Sequence, residues 1–279
     1  PPLLQSSAAS DVYKRQAYQR LSSFMDETQA AKDAEDNNAS IRRPEIGDLE
    51  FRSVKFRYPG QDVDILLDTN LKIEKGEKVA ILGRNGSGKT TLVKLACGLF
   101  GSTDGLVMYD GVDTKQIHND DLSRSIGIVL QDVQLFSGSI IDNITMGREG
   151  ISQEDVIEAA KITGLDEFLG KVPGGYELVL QDKGNGLSGG QRQAIAITRA
   201  IVHKPSHFIF DEPTAAMDMN SEQFFIKNFQ DHCKDATLIV VSHRMPLVNL
   251  VDRIIVMNDG KIVDDGPRDE IIKKLQGQA

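Results

Sequence analysis

The residues with the clearest chemistry form a glycine-rich loop, Gly83-Arg-Asn-Gly-Ser-Gly88-Lys89-Thr90, which fits the pattern G-x-x-x-x-G-K-[ST]. Glycines let the backbone curl so that successive N–H groups point at phosphate oxygens. Lys89 would place a positive charge near the β- and γ-phosphates, and the Thr90 hydroxyl would ligate Mg²⁺. The alternative is a turn that only caps a helix. A strand-like run before the loop and a helix-like run after it favour phosphate binding.

Two adjacent carboxylates follow an apolar run in "HFIFDEP". Asp211 would hold Mg²⁺, directly or through water, and Glu212 would act on the attacking water. Neighbouring side chains of a strand point to opposite faces, so the chain must turn at the strand end for both to reach one site. The alternative for such a pair is a solvated strand end, which the phosphate loop earlier in the chain makes the weaker interpretation.

A third candidate is the stretch "LSGGQRQAIAITRAIV" from Leu187 to Val202. Ser188 can cap a helix whose first turn is Gly189-Gly190, and small residues there leave a bare helix N-terminus that attracts anions. One phosphate loop should not need a second phosphate-binding helix about a hundred residues later. One solution is that this helix serves a nucleotide held by another subunit.

Changes of pattern along the chain predict the elements that position these residues. Near-alternating apolar residues in "DLEFRSVKFRYPG", and two runs on either side of the turn Lys75-Gly76-Glu77, predict strands. Ser152 as an N-cap predicts a helix, in a mostly helical region from about 133 to 204. Strands return in "HFIFDEP", "ATLIVVSH" and "RIIVMNDGKIV", the last with an Asn-Asp-Gly hairpin turn. The order indicates a nucleotide-binding core with a helical insertion, and Thr90 to Leu99 is predicted as a helix.

Composition narrows the class of protein. A net charge of −9 argues against nucleic acid as a partner, because such proteins present a basic face. The two cysteines, Cys97 and Cys233, lie far apart in apolar or helical context, which favours a reduced, cytosolic protein. No apolar run approaches the roughly 20 residues that cross a bilayer. The chain has no initiator Met and no signal peptide, so we expect it to be part of a longer polypeptide.

The first 47 residues differ from the rest, and we interpret them as a tail and linker. Residues 1–16 include "SSAASDVYKRQ", which resembles translated sequencing-adapter sequence, so we expect them to be non-native; an ordinary disordered tail is the alternative. "AYQRLSSFM" reads as the end of an amphipathic helix, and the acidic, polar run after it as a linker.

From about Asp48 to Leu275 the sequence resembles the nucleotide-binding domain of ATP-binding cassette (ABC) transporters. The motifs occur in the family's order: Tyr58 in "FRYPG" (the adenine-stacking aromatic), "GRNGSGKT" (Walker A), Gln131 in "IVLQDVQLF" (Q-loop), "LSGGQ" (signature), "FIFDEP" (Walker B with the catalytic glutamate), "AAMD" ending at Asp218 (D-loop), and His243 in "VVSHR" (switch histidine). Mild departures are Thr198 for a usual Ala, "AAMD" for "SALD", and Asp182 for Glu before the signature.

The resemblance implies ATP and Mg²⁺ as ligands and assigns roles by position. Nucleotide binding falls to Tyr58, Gly83, Arg84, Asn85, Gly86, Ser87, Gly88, Lys89, Thr90, Thr91, Ser188, Gly189, Gly190 and Gln191. Metal binding falls to Thr90, Gln131 and Asp211, and catalysis to Glu212, His243 and Gln131. Alternatives remain for three of them: a core role for Tyr58, a plain loop glutamine for Gln131, and a structural histidine for His243.

With the element order, the resemblance predicts an α/β fold: a P-loop NTPase core, with a mixed sheet and flanking helices, plus an antiparallel β subdomain and an inserted α-helical subdomain. Residues 48–279 would form this ATP-binding domain. It also implies a head-to-tail homodimer that sandwiches two ATP molecules, each between Walker A of one subunit and the signature helix of the other.

The stretch "QDVQLFSGSIIDNITMG" resembles exporters that carry ATPase and membrane domain in one chain. The stretches "MDMNSE" and "DRIIVMNDGKIVDDGPRDEII" most resemble type I secretion ATPases. This implies ATP-driven export at the cytoplasmic face of the inner membrane, through a membrane domain in the same native chain. The alternative is a soluble ABC ATPase of DNA repair or ribosomes. Such proteins usually carry a long coiled-coil insertion or a second cassette, and this chain shows neither.

Overall fold

Two β-sheets organise the chain, in a computed structural model that describes residues 41–43, 45–180 and 184–277. The predictions on the tail and linker up to residue 40, including the non-native residues 1–16, lie outside the described residues, as does Asp182. Within these ranges no helix combines the length and the apolar character that crossing a membrane requires.

The smaller sheet is antiparallel, with strands in the order β2-β1-β4-β5. Its strands are β1 (Leu49–Phe56), β2 (Leu66–Ile73), β4 (Asp104–Tyr109) and β5 (Val112–Asp113). The two strands predicted around Lys75-Gly76-Glu77 both form, as β2 and β3 (Lys78–Gly83), but they join different sheets. The antiparallel β subdomain of the predicted fold is thereby confirmed.

The larger sheet has the order β12-β11-β3-β10-β9-β6 and is parallel except for the edge strand β12. The further strands are β6 (Ile126–Val129), β9 (His207–Asp211), β10 (Thr237–Val241), β11 (Arg253–Asn258) and β12 (Lys261–Pro267). The predicted Asn-Asp-Gly turn joins β11 to β12, with Asp259 and Gly260 both at positive φ.

Helices cover both faces of the larger sheet. They are α1 (Lys89–Ala96), α2 (Asn119–Ser125), α3 (Ile140–Thr145), α4 (Gln153–Thr163), α5 (Leu165–Leu169), α6 (Gly189–Ile201), α7 (Met219–His232), α8 (Met245–Val248) and α9 (Arg268–Gly277). Helix α1 ends three residues before the predicted Leu99. A short antiparallel pair of strands, β7 (Gly138–Ser139) and β8 (Val179–Leu180), lies among the helices between β6 and β9.

Alternation along the central strands divides the core in two. Phe208 and Phe210 of β9 pack in the core shared with α4, α6 and α7, whereas Ile209 between them packs in the core shared with α1 and the antiparallel sheet. Successive strand side chains point to opposite faces, so a strand buried on both sides reads as a continuous apolar run. Asp211 therefore has the same parity as Ile209 and lies on the side of α1.

Candidate functional site

The phosphate-loop candidate connects the central strand β3 to helix α1, as predicted. Two of its glycines cannot be replaced without a clash. A Cβ on Gly83 would lie 2.2 Å from the carbonyl oxygen of Met257 on the neighbouring strand. Gly88, the residue before α1, has φ +98°, and a Cβ there would lie 2.8 Å from Leu66. Packing on both sides thus fixes the path of the loop.

Lys89 closes the loop on itself. Its Nζ donates hydrogen bonds to the carbonyl oxygens of Gly83, at 2.7 Å, and Arg84, at 2.9 Å. Burial lowers the pKa of Lys89, although the negative charges of Asp211 and Glu212 act to raise it. The hydroxyl of Ser87 is buried in the same loop and has no hydrogen-bond partner in the described part of the chain. A cation and an unused donor therefore sit inside the curl, where phosphate oxygens would be bound.

Thr90 and Asp211 form a pair of oxygens beside the loop. The Thr90 hydroxyl donates to Oδ2 of Asp211 at 2.6 Å. Burial raises the pKa of Asp211, while the bond from Thr90 lowers it. No cluster of three or more His, Cys, Asp or Glu side chains that would hold a metal occurs in the described ranges. This donor set fits Mg²⁺, which takes one or two protein oxygens and completes its shell with water and phosphate.

Glu212 turns towards the same site. Its φ of 49° is left-handed, which redirects the chain directly after β9. Its Oε2 accepts a hydrogen bond from the Ser242 hydroxyl at 3.0 Å, and its N–H donates to the carbonyl of Val241 at 2.8 Å. The turn predicted at this strand end is present, and it brings Glu212 beside the end of β10.

The remaining catalytic candidates lie at the same edge of the sheet. Gln131 follows β6 by two residues and is exposed, and His243 follows β10 by two residues and is also exposed. Because β3, β10, β9 and β6 are parallel neighbours, their carboxyl ends meet in one row. That row is the edge at which open α/β sheets bind ligands.

Tyr58 lies two residues beyond the end of β1, rather than at the strand's last position. Its half-buried ring lies nearly perpendicular to the rings of Phe56 and Phe100, with centroids 4.9 and 5.4 Å away. Its hydroxyl is 3.1 Å from Oγ1 of Thr91, a nucleotide-binding candidate that is itself buried. Tyr58 thus contacts two aromatic rings of the core, and Nζ of Lys94 lies over its ring, 5.7 Å from the centroid.

The signature residues form a capped helix start. Ser188 accepts from the N–H of Gln191, and the Gln191 side chain accepts from the N–H of Ser188, which together make a capping box at the start of α6. Gly189 and Gly190 pack closely on the backbone and Cβ of Ala216. In the described residues no hydrogen bond or ion pair joins these four residues to the Gly83–Thr90 loop.

Sequence reasoning missed several residues that support the site. Gln193 on α6 accepts from the N–H of Ala216 at 2.7 Å and donates to the carbonyl of Glu212 at 3.3 Å, so it ties the signature helix to the catalytic turn. Arg199, on the same helix, donates to the carbonyls of Asn143 and Gln134 beyond the Q-loop. Their position on the helix that follows the signature motif was the only sign of a role in the sequence, since their hydrogen-bond partners are distant along the chain.

The unusual Thr198 has a structural explanation. Its hydroxyl is 2.8 Å from that of Thr163 on α4 and donates to the carbonyl of Ala194. Both threonines are buried, so the pair satisfies two polar groups between α4 and α6. This departure concerns packing within the helical region.

The fold and the site define a nucleotide-binding domain of the P-loop class. Residues 66–215 match the family model described as ABC transporter, which is more than half of the chain. The chain therefore belongs to the ABC transporter family, as the motifs predicted, and is an ATP-binding domain of that family.

Individual relatives are also named as ATP-binding proteins. The alpha-hemolysin translocation ATP-binding protein HlyB of Escherichia coli is 44% identical over 241 residues, which are 86% of this chain and 34% of that protein. The leukotoxin export ATP-binding protein LtxB of Aggregatibacter actinomycetemcomitans is 43% identical over 244 residues, 87% of this chain and 34% of that protein. The chain thus spans about a third of the length of these curated relatives.

Among solved structures, a bacterial Atm1-family ABC exporter with ATP bound is similar at a TM-score of 0.77 and 31% identity, covering 82% of this chain and 40% of that one. This likeness confirms the predicted α/β fold, including the mixed sheet with flanking helices.

Proposed function

We propose that this chain hydrolyses ATP and that the hydrolysis drives export through a membrane domain. The observation that carries the proposal is the row of carboxyl strand ends. It places the phosphate loop, the Thr90–Asp211 pair, Glu212 and His243 at one edge of the sheet. The family membership and the relatives named for translocation and export support the same activity.

The chemistry follows from the groups at that edge. Lys89 exchanges its hydrogen bonds to two loop carbonyls for bonds to phosphate oxygens. Its ammonium group is already held inside the loop, so it stabilises the phosphate charge without a rearrangement of the loop. Thr90 and Asp211, with Gln131, would hold Mg²⁺, which neutralises charge on the phosphates when bound. The Glu212 carboxylate accepts a proton from the attacking water. His243 donates to the γ-phosphate, and the face of Tyr58 stacks on adenine.

A shared site explains the position of the signature helix. The start of α6 is capped and presents N–H groups, yet within the described residues no hydrogen bond or ion pair joins it to the phosphate loop of its own chain. We propose that Ser188, Gly189, Gly190 and Gln191 bind the ATP of a partner subunit in a head-to-tail homodimer. Binding closes the pair and hydrolysis reopens it.

The export step is proposed from the relatives, which are named for alpha-hemolysin and leukotoxin transport. Type I protein secretion is the branch they favour. The membrane domain would belong to the same native chain and hold this domain at the cytoplasmic face of the inner membrane. Reading the genomic DNA upstream tests this: about six membrane-spanning segments in the same frame are expected. An unrelated reading frame there would favour the alternative, a soluble ABC ATPase.

The ATPase proposal is tested with Glu212→Gln. The amide keeps the size of the side chain but cannot accept the proton of water, so we expect turnover to be lost while ATP binding is kept. Phosphate release and calorimetric binding are measured on the same preparation. Hydrolysis at the wild-type rate would show that Glu212 is not the catalytic residue.

A further inference from the structure

A buried carboxylate outside the predicted motifs connects two parts of the site. Glu222 lies in the first turn of α7 and is only 4% exposed. Burying a carboxylate is costly unless charge and hydrogen bonds compensate for it. Its two oxygens contact two different segments, the one that follows Glu212 and the one that follows His243.

The first oxygen anchors the turn after the catalytic carboxylate. The hydroxyl of Thr214, two residues beyond Glu212, donates to Oε1 of Glu222 at 2.5 Å. Thr214 has no exposed surface, so water does not substitute for this bond in the folded chain. Glu222 therefore fixes where the segment leaves β9.

The second oxygen anchors the segment of the switch histidine. Arg244, directly after His243, donates from Nη1 to Oε2 of Glu222 at 2.9 Å and from Nη2 to the carbonyl of Ala215 at 3.2 Å. This guanidinium bridges the two segments and supplies the positive charge that the buried carboxylate requires.

The contacts close into a ring. The backbone N–H of Arg244 donates to Oγ of Ser242 at 3.2 Å, and the Ser242 hydroxyl donates to Oε2 of Glu212 at 3.0 Å. Ser242 is 1% exposed. Glu222 is thus connected to the catalytic carboxylate along two routes, through Thr214 and the backbone, and through Arg244 and Ser242.

We propose that Glu222 is a positioning residue for hydrolysis, which sets the orientation of Glu212 and His243 relative to each other through Thr214, Arg244 and Ser242. The inference rests on the proposed function, since it assigns a role within the same reaction. None of the ring's hydrogen bonds involves the Gly83–Thr90 loop. Its loss should therefore reduce turnover and leave ATP binding unchanged.

The test compares Glu222→Ala with Glu222→Gln. Because small misplacement of reacting groups is costly, Glu222→Ala should lower kcat about 10- to 100-fold, with the Kd for ATP within about twofold of wild type. The amide of Glu222→Gln can still bond both partners, so we expect partial rescue of kcat. Glu154→Ala is the matched control, because Glu154 lies in the first turn of α4 and is exposed; it should leave kcat unchanged.

A second pair covers the case in which Glu222→Ala fails to fold. Thr214→Ser keeps the hydroxyl and should stay near wild type, whereas Thr214→Val removes it and should lower kcat with unchanged ATP affinity. The double variant Glu222→Gln, Ser242→Ala should lower kcat by a smaller factor than the product of the two single reductions in kcat, since both residues act through one ring of hydrogen bonds.

The outcomes separate the two proposals. A wild-type chain that does not hydrolyse ATP under any dimer-forming condition would overturn the ATPase proposal and, with it, this inference. With an active wild-type chain, full kcat in Glu222→Ala, or in Thr214→Val where Glu222→Ala does not fold, would overturn only the positioning role. Losses of kcat and ATP affinity in equal proportion would also overturn it, because they would indicate general disruption.

Discussion

At the scale of residues, the site depends on side chains that are ordinary in type but unusual in surroundings. Lys89 is buried against two carbonyls of its own loop, and Asp211 is buried against one hydroxyl. Burial lowers the pKa of Lys89 and raises the pKa of Asp211, so it favours the neutral form of both side chains. A bound phosphate and a cation would reverse both shifts, so ligand binding and these charges are linked.

Buried histidines provide a test of stability at this scale. His207 has no exposed surface, and its Nε2 lies 2.8 Å from the carbonyl of Gly47. Burial is the main cause that lowers its pKa from 6.5 to about 4. The folded chain therefore binds fewer protons than the unfolded chain between these values. This contribution to stability is present above pH 6.5 and is lost as the pH falls towards 4.

We expect His207 alone to reduce the free energy of unfolding by about 3 kcal/mol between pH 7 and pH 4. Urea unfolding at both pH values measures the difference. His207→Gln cannot gain the proton, so its stability should fall less over the same range, even if it is less stable at pH 7. An equal fall in wild type and variant would contradict the assignment.

At the scale of elements, two helices start in the same way but face different surroundings. Helix α4 is capped by Ser152 with Asp155, and α6 by Ser188 with Gln191, both as capping boxes. Both serines are exposed. The local pattern predicts the helix start in each case, whereas the role of the start depends on what lies in front of it.

This similarity provides a matched pair of substitutions. Ser152→Ala and Ser188→Ala should each reduce the free energy of unfolding by about 1 kcal/mol, because each removes an N-cap acceptor. Only Ser188→Ala should also slow ATP hydrolysis, through its proposed contact with the partner's nucleotide. Chemical denaturation and phosphate release measure the two effects. Equal hydrolysis rates in the two variants would argue against a role for Ser188 in the shared site.

At the scale of the whole molecule, the phosphate loop and the signature helix belong to different packing units. The phosphate loop leads into α1, whose buried residues pack in the core with the antiparallel sheet, whereas α6 packs in the other core with α4 and α7. The larger sheet separates the two cores. This arrangement supports a site completed by a second copy of the chain.

Dimer closure tests that arrangement directly. In the Glu212→Gln background, ATP should trap a dimer, because hydrolysis no longer reopens it. Adding Ser188→Arg should prevent the dimer, because the longer side chain would occupy the space of the partner's nucleotide, while ATP binding to the monomer persists. Light scattering with and without ATP measures the mass. Ser152→Arg in the same background is the control and should still dimerise; a persistent dimer with Ser188→Arg would refute the shared site.

The sequence by itself determined what depends on neighbours along the chain. The phosphate loop, the capping boxes, the Asn-Asp-Gly hairpin and the strand-end carboxylates are local patterns, because backbone conformation and capping act over a few residues. Their order along the chain was enough to predict the family and the α/β fold.

Only the tertiary structure decided which distant residues meet. The strand order β11-β3-β10-β9 places Gly83 against Met257 and Ser242 against Glu212. The packing of α6 places Gln193 against the catalytic turn. The tertiary structure also gives Glu222 its two partners and packs the ring of Tyr58 against those of Phe56 and Phe100. Sequence patterns report which face of an element is apolar, but not which element covers it, since sheet order and packing are set by the chain as a whole.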